Sequence, residues 1–250
     1  MGMMNWIERL ATDVRELLFP RPCLVCGATL GLQEQVVCNR CLSQLPYTRY
    51  RGLPENPVHR LFYPDTAVQR ANAWMFYHQG SDTAHVVHAL KYHGRREVGR
   101  TMGRLMAYDV KPTGFFDGVD ALVPVPLSRP RQRRRGYNQS EALASGIAEV
   151  TGLPLWPEVV ERTVDNPTQT RLSVEERRQN VEGIFRLCDA GKIRGRHLLL
   201  VDDVVTTGAT LASCMAALSV AGGVRFSVLC MAVAASAACT PDGLAIDLDV

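Results

Sequence analysis

The sequence predicts an α/β protein in which helices flank a parallel sheet. One observation is the run Leu198–Val201, which is apolar without interruption, as expected for a parallel strand that is buried on both faces. A second is that other short apolar runs alternate with helical patterns between residues 71 and 234. The chain has 250 residues, 46% of them hydrophobic. This is enough for one large domain and a small appendage.

Composition excludes several classes of protein. The net charge is only +3 and the mean hydropathy is −0.04. No apolar run reaches the roughly 18 residues that a membrane span needs. Residues 1–18 carry charges throughout, which argues against a secretory signal. We therefore expect a cytoplasmic protein without a transmembrane segment.

The first 20 residues are expected to form a helix. Asn5 can cap it, Pro20 ends it, and apolar residues recur at helical spacing at positions 7, 10, 14, 17 and 18. A packing helix is the simplest interpretation, and a helix that binds a partner or a membrane surface is the alternative. The predicted organisation is this helix over residues 1–20, a cysteine module with a linker or hood over 21–66, and the large domain over 67–250.

Four cysteines in two Cys-x-x-Cys pairs follow this helix: Cys23, Cys26, Cys38 and Cys41. Two such pairs provide four thiolates for a tetrahedral zinc ion, and a site filled by four cysteines leaves no open position for catalysis. Two disulfides or a redox dithiol are the alternatives, but a reducing compartment disfavours disulfides. The sequence therefore predicts a small structural zinc module.

The remaining elements are assigned from hydrophobic period and caps. Strands are predicted at 71–77, 120–127, 157–163, 181–187, 198–201 and 225–234, and helices at 82–90, 96–108, 140–150 and 211–218. Residues 166–180 between two of these strands are polar and form a long connection, which indicates a flap over a substrate.

Two acids and a hydroxyl-rich loop follow the most apolar strand. Asp202 and Asp203 stand at its carboxyl end, where open α/β sheets bind ligands. The loop that follows has three threonines and Gly208, and it leads into a helix whose N-terminal amides favour a phosphate. The two carboxylates suit the vicinal hydroxyls of a ribose. The alternative is a threonine-rich helix cap next to acids that merely end a strand.

Cationic residues mark two further segments. Lys91, at the end of a predicted helix, is either a phosphate or pyrophosphate contact or a solvated lysine that the helix dipole favours. Residues 129–139 are rich in arginine and suit a pyrophosphate or a nucleic-acid backbone. The candidate nucleic-acid contacts are Arg131, Arg133, Arg134, Arg135 and Tyr137, with the tyrosine placed to stack on a base.

The order of these parts resembles type I phosphoribosyltransferases, whose signature matches residues 198–210. Further motifs narrow the resemblance to the ComF family, phosphoribosyltransferase-like proteins linked to competence and DNA uptake. These motifs are the cysteine pairs, Lys91-Tyr92-x-Gly94, Pro124-Val125-Pro126, Arg133-x-Arg135-Gly136-Tyr137-Asn138-Gln139, Thr168-x-x-Arg171-Leu172, and Asn180-Val181-x-Gly183-x-Phe185. The chain departs from the family in lacking a basic residue after its last strand.

The resemblance implies a site for phosphoribosyl pyrophosphate (PRPP). Asp202 and Asp203 would bind the ribose hydroxyls, and Ser128 and Arg129 would lie near the pyrophosphate. The 5′-phosphate would be held by Val205, Thr206, Thr207, Gly208, Ala209 and Thr210. Residues 168–178, including Gln169, would form the flap, and magnesium would bridge pyrophosphate and ribose oxygens.

Two functions follow from these expectations. The first is an enzyme that transfers phosphoribosyl from PRPP to a nitrogen acceptor, with Lys91, Arg177 and Arg178 stabilising the departing charge. The second is a non-catalytic protein that senses PRPP and handles single-stranded DNA. Its partners would be PRPP, single-stranded DNA and other competence or DNA-uptake proteins.

Overall fold

The computed structural model describes residues 21–65, 67–91, 95–163 and 184–234. The chain divides into two compact units, Met1–Leu45 and Pro46–Val250. The larger unit therefore begins earlier than the expected boundary at residue 67. Residues 46–48 and Asn56 form hydrogen bonds with the first strand of this unit, Val68–Tyr77. The predicted N-terminal helix, residues 1–20, lies outside the described residues.

The described part of the smaller unit is a cysteine-bearing turn followed by helix α1 (Asn39–Gln44). The turn closes through the N–H of Gly27, which donates to the carbonyl of Cys23, and Gly27 has a φ of 72°. A left-handed glycine lets the chain reverse directly after the second cysteine of the first pair.

A four-stranded, wholly parallel sheet forms the centre of the larger unit, in the order β1-β6-β5-β2. The strands are β1 (Val68–Tyr77), β2 (Ala121–Pro124), β5 (His197–Val205) and β6 (Arg225–Ala234). Leu198, Leu199, Leu200 and Val201 on β5 are fully buried. The parallel sheet and the apolar central strand that the sequence predicts are confirmed.

Helices pack around this sheet. They are α2 (Pro57–Arg60), α3 (Asp82–Lys91), α4 (Arg96–Val110), α5 (Arg129–Arg135), α6 (Gln139–Thr151), α7 (Ala190–Ile193) and α8 (Ala209–Ser219). Helices α4 and α6 approach closely because each places glycine at the contact. A Cβ atom on Gly103 would lie 2.0 Å from the carbonyl oxygen of Leu143, and one on Gly146 equally close to that of Arg100.

A second, two-stranded antiparallel sheet joins β3 (Val160–Arg162) to β4 (Phe185–Leu187). The sequence predicts both segments as strands, but they pair with each other and not within the parallel sheet. They flank residues 164–183, which contain the predicted flap and lie outside the described residues.

Irregular segments cover both edges of the parallel sheet. Along β1, the N–H of Phe76 donates to the carbonyl of Pro46, and the Asn56 side-chain amide donates to the carbonyl of Ala71. Along β2, Leu122 exchanges hydrogen bonds with the segment 154–156. The backbone groups of the edge strands are thereby occupied within the chain.

The described helices include none with the length and apolar character required to cross a bilayer.

Candidate functional site

The two predicted acids lie on β5, which continues past them to Val205, further than the predicted end at residue 201. Asp202 and Asp203 are half-buried. A turn over residues 206–208 connects the strand to α8. The acids and the N-terminus of α8 therefore lie within a few residues of each other at the carboxyl end of a central strand, where α/β sheets bind ligands.

The protein contacts one oxygen of the Asp202 carboxylate and both oxygens of the Asp203 carboxylate. Asp202 Oδ1 accepts hydrogen bonds from the Ser140 hydroxyl and from the N–H of Asp203, both at 2.9 Å. Asp203 Oδ1 accepts from the N–H of Val204 at 2.7 Å, and its Oδ2 lies 3.4 Å from the ammonium of Lys91. These contacts orient both carboxylates and bring the predicted cation Lys91 to the acids.

Asp202 is held in unusual electrostatic surroundings. Burial, and then the negative charge of neighbouring Asp203, raise its pKa to about 7. The donors Asp203 N–H and Ser140 Oγ and the charge of Lys91 act in the opposite direction but only in part. The carboxyl group therefore changes charge near neutral pH.

The loop after the acids has the exposure expected of an anion site. The hydroxyl-bearing residues Thr206, Thr207 and Thr210 are exposed, whereas Val205 is buried and Ala209 is half-buried. The first amides of α8 have no partner within the helix, as at every helix N-terminus, and favour an anion.

Gly208 is required at the turn for two reasons. Its φ is 76°, a left-handed conformation that glycine adopts without strain. A Cβ atom there would also lie 3.2 Å from Phe62 Cε1 and 3.4 Å from Leu61 Cβ. The segment after α2 thus packs against the loop, a contact that no sequence pattern indicated.

The arginine-rich segment forms a helix, α5, which the sequence analysis did not predict. Arg129, Arg133 and Arg134 are exposed, whereas Arg131 and Arg135 are half-buried. Arg135 donates to the side-chain oxygen of Gln139 at 2.7 Å. Gly136 ends the helix in the left-handed conformation, the common way for a helix to stop.

Tyr137 corrects one expectation, because it is only 3% exposed and cannot stack on a base. Its hydroxyl donates to the carbonyl of Leu90, next to Lys91, at 2.5 Å. Asn138 caps α6 by accepting from the N–H of Ser140, and its amide donates to the carbonyl of Val125. This motif therefore fixes the positions of Lys91 and Ser140 around the acids.

Ser128 lies at the start of α5 and is 1% exposed. The predicted contacts Gln169, Arg177 and Arg178 lie outside the described residues. Ser140 was not singled out by sequence reasoning, although it stands directly after the Tyr137-Asn138-Gln139 motif. Its role depends on a contact across 62 residues, which no local pattern reveals.

The four predicted metal ligands come together in the smaller unit. The sulfur atoms of Cys23, Cys26, Cys38 and Cys41 all lie within 4.8 Å of one another, and three of the four residues are buried. Burial of Cys23 favours a higher pKa of its thiol, but the N–H groups directed at the sulfur have the larger combined effect. The pKa of Cys23 is therefore lowered to about 7. Four thiols in this arrangement could hold a metal ion.

Comparisons with known proteins place the chain in a family. It is 30% identical over 226 residues to the DNA utilization protein YhgH of Salmonella typhimurium, covering 86% of this chain and 98% of that protein. It is 28% identical over 200 residues to competence protein F of Haemophilus influenzae, covering 76% and 86%. The similarity to this DNA utilization protein and this competence protein shows that the chain belongs to the ComF family. No family model matches the chain.

Among solved structures, the chain is similar to a hypoxanthine phosphoribosyltransferase from Staphylococcus aureus. The sequence identity is 13% and the TM-score is 0.35, over 60% of this chain and 70% of that one.

The raised pKa of Asp202 makes stability depend on pH. Because the pKa in the folded state, about 7, exceeds the ordinary value of 3.8, the contribution of Asp202 to stability is most favourable below pH 4, decreases as the pH rises from 4 to 7 and levels off above 7. Asp202→Asn should therefore raise the free energy of unfolding at pH 8 by on the order of 2 kcal/mol and change it little at pH 4. Urea unfolding of both proteins from pH 4 to pH 8 measures this difference.

Glu55→Gln, at an exposed carboxylate, is the control and should give no such trend. An Asp202→Asn effect of equal size at pH 4 and pH 8 would contradict the raised pKa.

Proposed function

We propose that the protein binds PRPP at the carboxyl end of β5. The observation that carries the proposal is the juxtaposition of two oriented carboxylates, one cation and an exposed hydroxyl-rich loop at a helix N-terminus. Lys91 Nζ lies 3.4 Å from Asp203 Oδ2. The turn that carries the hydroxyls begins at Thr206, three residues after Asp203. PRPP combines the groups that such a site would recognise: a monophosphate, vicinal hydroxyls and a second polyanion.

The proposed ligand lies with its 5′-phosphate on residues 205–210. The amides of the α8 N-terminus and the hydroxyls of Thr206, Thr207 and Thr210 supply donors for the phosphate oxygens. The ribose hydroxyls donate to the lone pairs that remain on the carboxylate oxygens of Asp202 and Asp203. Binding therefore favours the ionised form of Asp202.

The pyrophosphate lies on the Lys91 side of the ribose. Lys91 offers a positive charge there, and Arg129 at the start of α5 is exposed. Magnesium prefers oxygen ligands, and the acids, the ribose hydroxyls and the pyrophosphate are all oxygen donors, so the residues present fit this ion. When bound, it would neutralise charge on the pyrophosphate.

Transfer would follow from this arrangement. A nitrogen nucleophile forms a bond to the anomeric carbon, and the bond from that carbon to pyrophosphate breaks with its electron pair going to the pyrophosphate. The proton that the nitrogen loses passes to solvent or to the departing pyrophosphate. Lys91, with Arg177 and Arg178 of the predicted flap, stabilises the departing charge.

Isothermal titration with PRPP and magnesium tests the binding proposal. The wild-type protein should bind, and Asp203→Asn should weaken binding about tenfold or more, because an amide replaces a charged acceptor of ribose hydroxyls. Asp117→Asn, at an exposed acid outside the site, is the matched control and should bind normally. Absence of binding to the wild type, or an unchanged constant in Asp203→Asn, would contradict the proposal.

The second candidate function is a non-catalytic protein that senses PRPP and handles single-stranded DNA. The names of the two relatives, a DNA utilization protein and a competence protein, favour a link to competence and DNA uptake. The exposed guanidinium groups of Arg133 and Arg134 on α5 supply a surface for phosphates. Release of pyrophosphate from PRPP with any nitrogen base would favour the enzyme over this alternative.

Salt dependence tests the DNA contact. If α5 binds single-stranded DNA, the double variant Arg133→Ala/Arg134→Ala should reduce the slope of log K against log salt by about 1.4, since each phosphate contact contributes about 0.7. Fluorescence anisotropy with a labelled oligonucleotide at several salt concentrations measures the slope. The control Arg60→Ala/Arg194→Ala removes two exposed arginines elsewhere. Equal slopes in the two double variants would rule out this role for α5.

The smaller unit is proposed to hold one structural zinc ion. Four thiolates in a cluster suit tetrahedral zinc and leave no coordination position for substrate. Metal analysis of the purified protein should give about one zinc per chain, and Cys26→Ser should lose most of it. Cys188→Ser changes an exposed cysteine outside the cluster and should keep the zinc. Zinc retained in full by Cys26→Ser would contradict a four-thiolate site.

A further inference from the structure

A second cavity lies in the larger unit, away from the acids. It measures about 770 Å³ and is formed by residues 47–51, by β1, and by the end of α4 with the following turn. This volume is within the range of small-molecule sites, roughly 300–1,000 Å³. None of the residues assigned to the candidate PRPP site lines it.

Two polar side chains on β1 line this cavity and have hydrogen-bonding atoms without a partner. Asn72 and Trp74 are 3% and 5% exposed, and they stand two residues apart, on the same face of the strand. Asn72 Oδ1 and Trp74 Nε1 are buried and find no hydrogen-bond partner among the described residues. Buried polar groups are nearly always paired, so an unpaired acceptor and an unpaired donor on two residues that line one cavity indicate a missing partner there.

The other lining residues indicate the kind of ligand. Tyr47 packs against Trp74 with ring centroids 5.2 Å apart, and Tyr108 is 64% exposed. Two arginines also line the cavity: Arg51 pairs with Asp109, whereas no described acid lies within salt-bridge distance of Arg49. The surplus charge is therefore positive and favours an anion over a cation.

The backbone at Arg49 supports a functional role. Arg49 has a φ of 58° and is the one described residue other than glycine in the left-handed region. Non-glycine residues in this conformation are uncommon and concentrate at functional sites. Arg49 thus combines the left-handed backbone conformation with the surplus positive charge of the cavity.

We infer that this cavity binds a nucleotide, with the base against Asn72 and Trp74 and the phosphate at Arg49. A nucleobase presents hydrogen-bond donors and acceptors on one planar edge, as an unpaired asparagine oxygen and an indole N–H require. Its faces stack on aromatic side chains, and its phosphate matches a guanidinium group. The nucleotide is either free or part of a DNA single strand.

Titration of the full-length protein with two probes, deoxyadenosine monophosphate and a short single-stranded oligodeoxynucleotide, tests the inference. Asn72→Leu should weaken the binding of at least one probe about tenfold, and Trp74→Phe, which removes the indole N–H, should weaken it severalfold. Arg49→Gln should weaken binding and reduce its salt dependence. Arg194→Gln, at an arginine that is also exposed but lies outside the cavity, should bind like the wild type.

Two further measurements distinguish a ligand-binding role of Asn72 and Trp74 from a purely structural one. Because Asn72 Oδ1 has no partner, Asn72→Leu should keep or raise the melting temperature of the unliganded protein. Trp74→Phe loses no protein hydrogen bond but removes buried volume, so it should lower the melting temperature only slightly. Both variants should also bind PRPP as the wild type does, whereas Asp203→Asn should retain binding of the oligonucleotide. If the cavity variants weaken the binding of deoxyadenosine monophosphate alone, the ligand is a free nucleotide. If they weaken the binding of the oligonucleotide alone, the ligand is a DNA strand.

Two results would overturn the inference. One is nucleotide and oligonucleotide binding that Asn72→Leu leaves unchanged. The other is a large fall in melting temperature in both cavity variants, which would show that the two side chains serve the fold. Failure of PRPP to bind would leave the inference intact, because the cavity shares no residue with the PRPP site.

Discussion

The structure around the candidate site depends on keeping two adjacent carboxylates half-buried at the end of one strand. Like charges so close repel each other, and burial adds to the cost of ionisation. The protein offsets this through backbone N–H groups, the Ser140 hydroxyl and the ammonium of Lys91. Lys91 belongs to α3 and Ser140 to α6, so the acids tie both helices to the central sheet. The Tyr137-Asn138-Gln139 segment holds the two helix ends in place.

Local patterns predicted much of the fold. The apolar run at 198–201 identified the central strand, and the glycine and threonines after it identified the turn into α8, because these signals depend on neighbouring residues alone. The pairing of strands depends on residues that are distant in the chain, so local sequence patterns do not predict it. Segments around 160 and 185 were predicted as strands, but their sequences do not reveal that they pair with each other in a separate sheet.

The same distinction applies to the site. The acids, the loop and Lys91 were predicted from residue type and from resemblance, and the structure brings Lys91 to Asp203. Tyr137 was assigned to a base because aromatic residues beside arginines often stack on nucleic acids. It is buried, and its hydroxyl donates to the carbonyl of Leu90, 47 residues away in the chain. Ser140 was overlooked for a similar reason, since its partner is also remote in the chain.

The covered sheet edges limit how other proteins can attach. Residues 46–48 and Asn56 form hydrogen bonds with the free side of β1, and residues 154–156 with that of β2. Peptide recognition by strand addition needs an open row of backbone donors and acceptors. A partner that docks on the described sheet must therefore contact side chains on helices and loops, so its specificity would be set by surface residues such as those of α5.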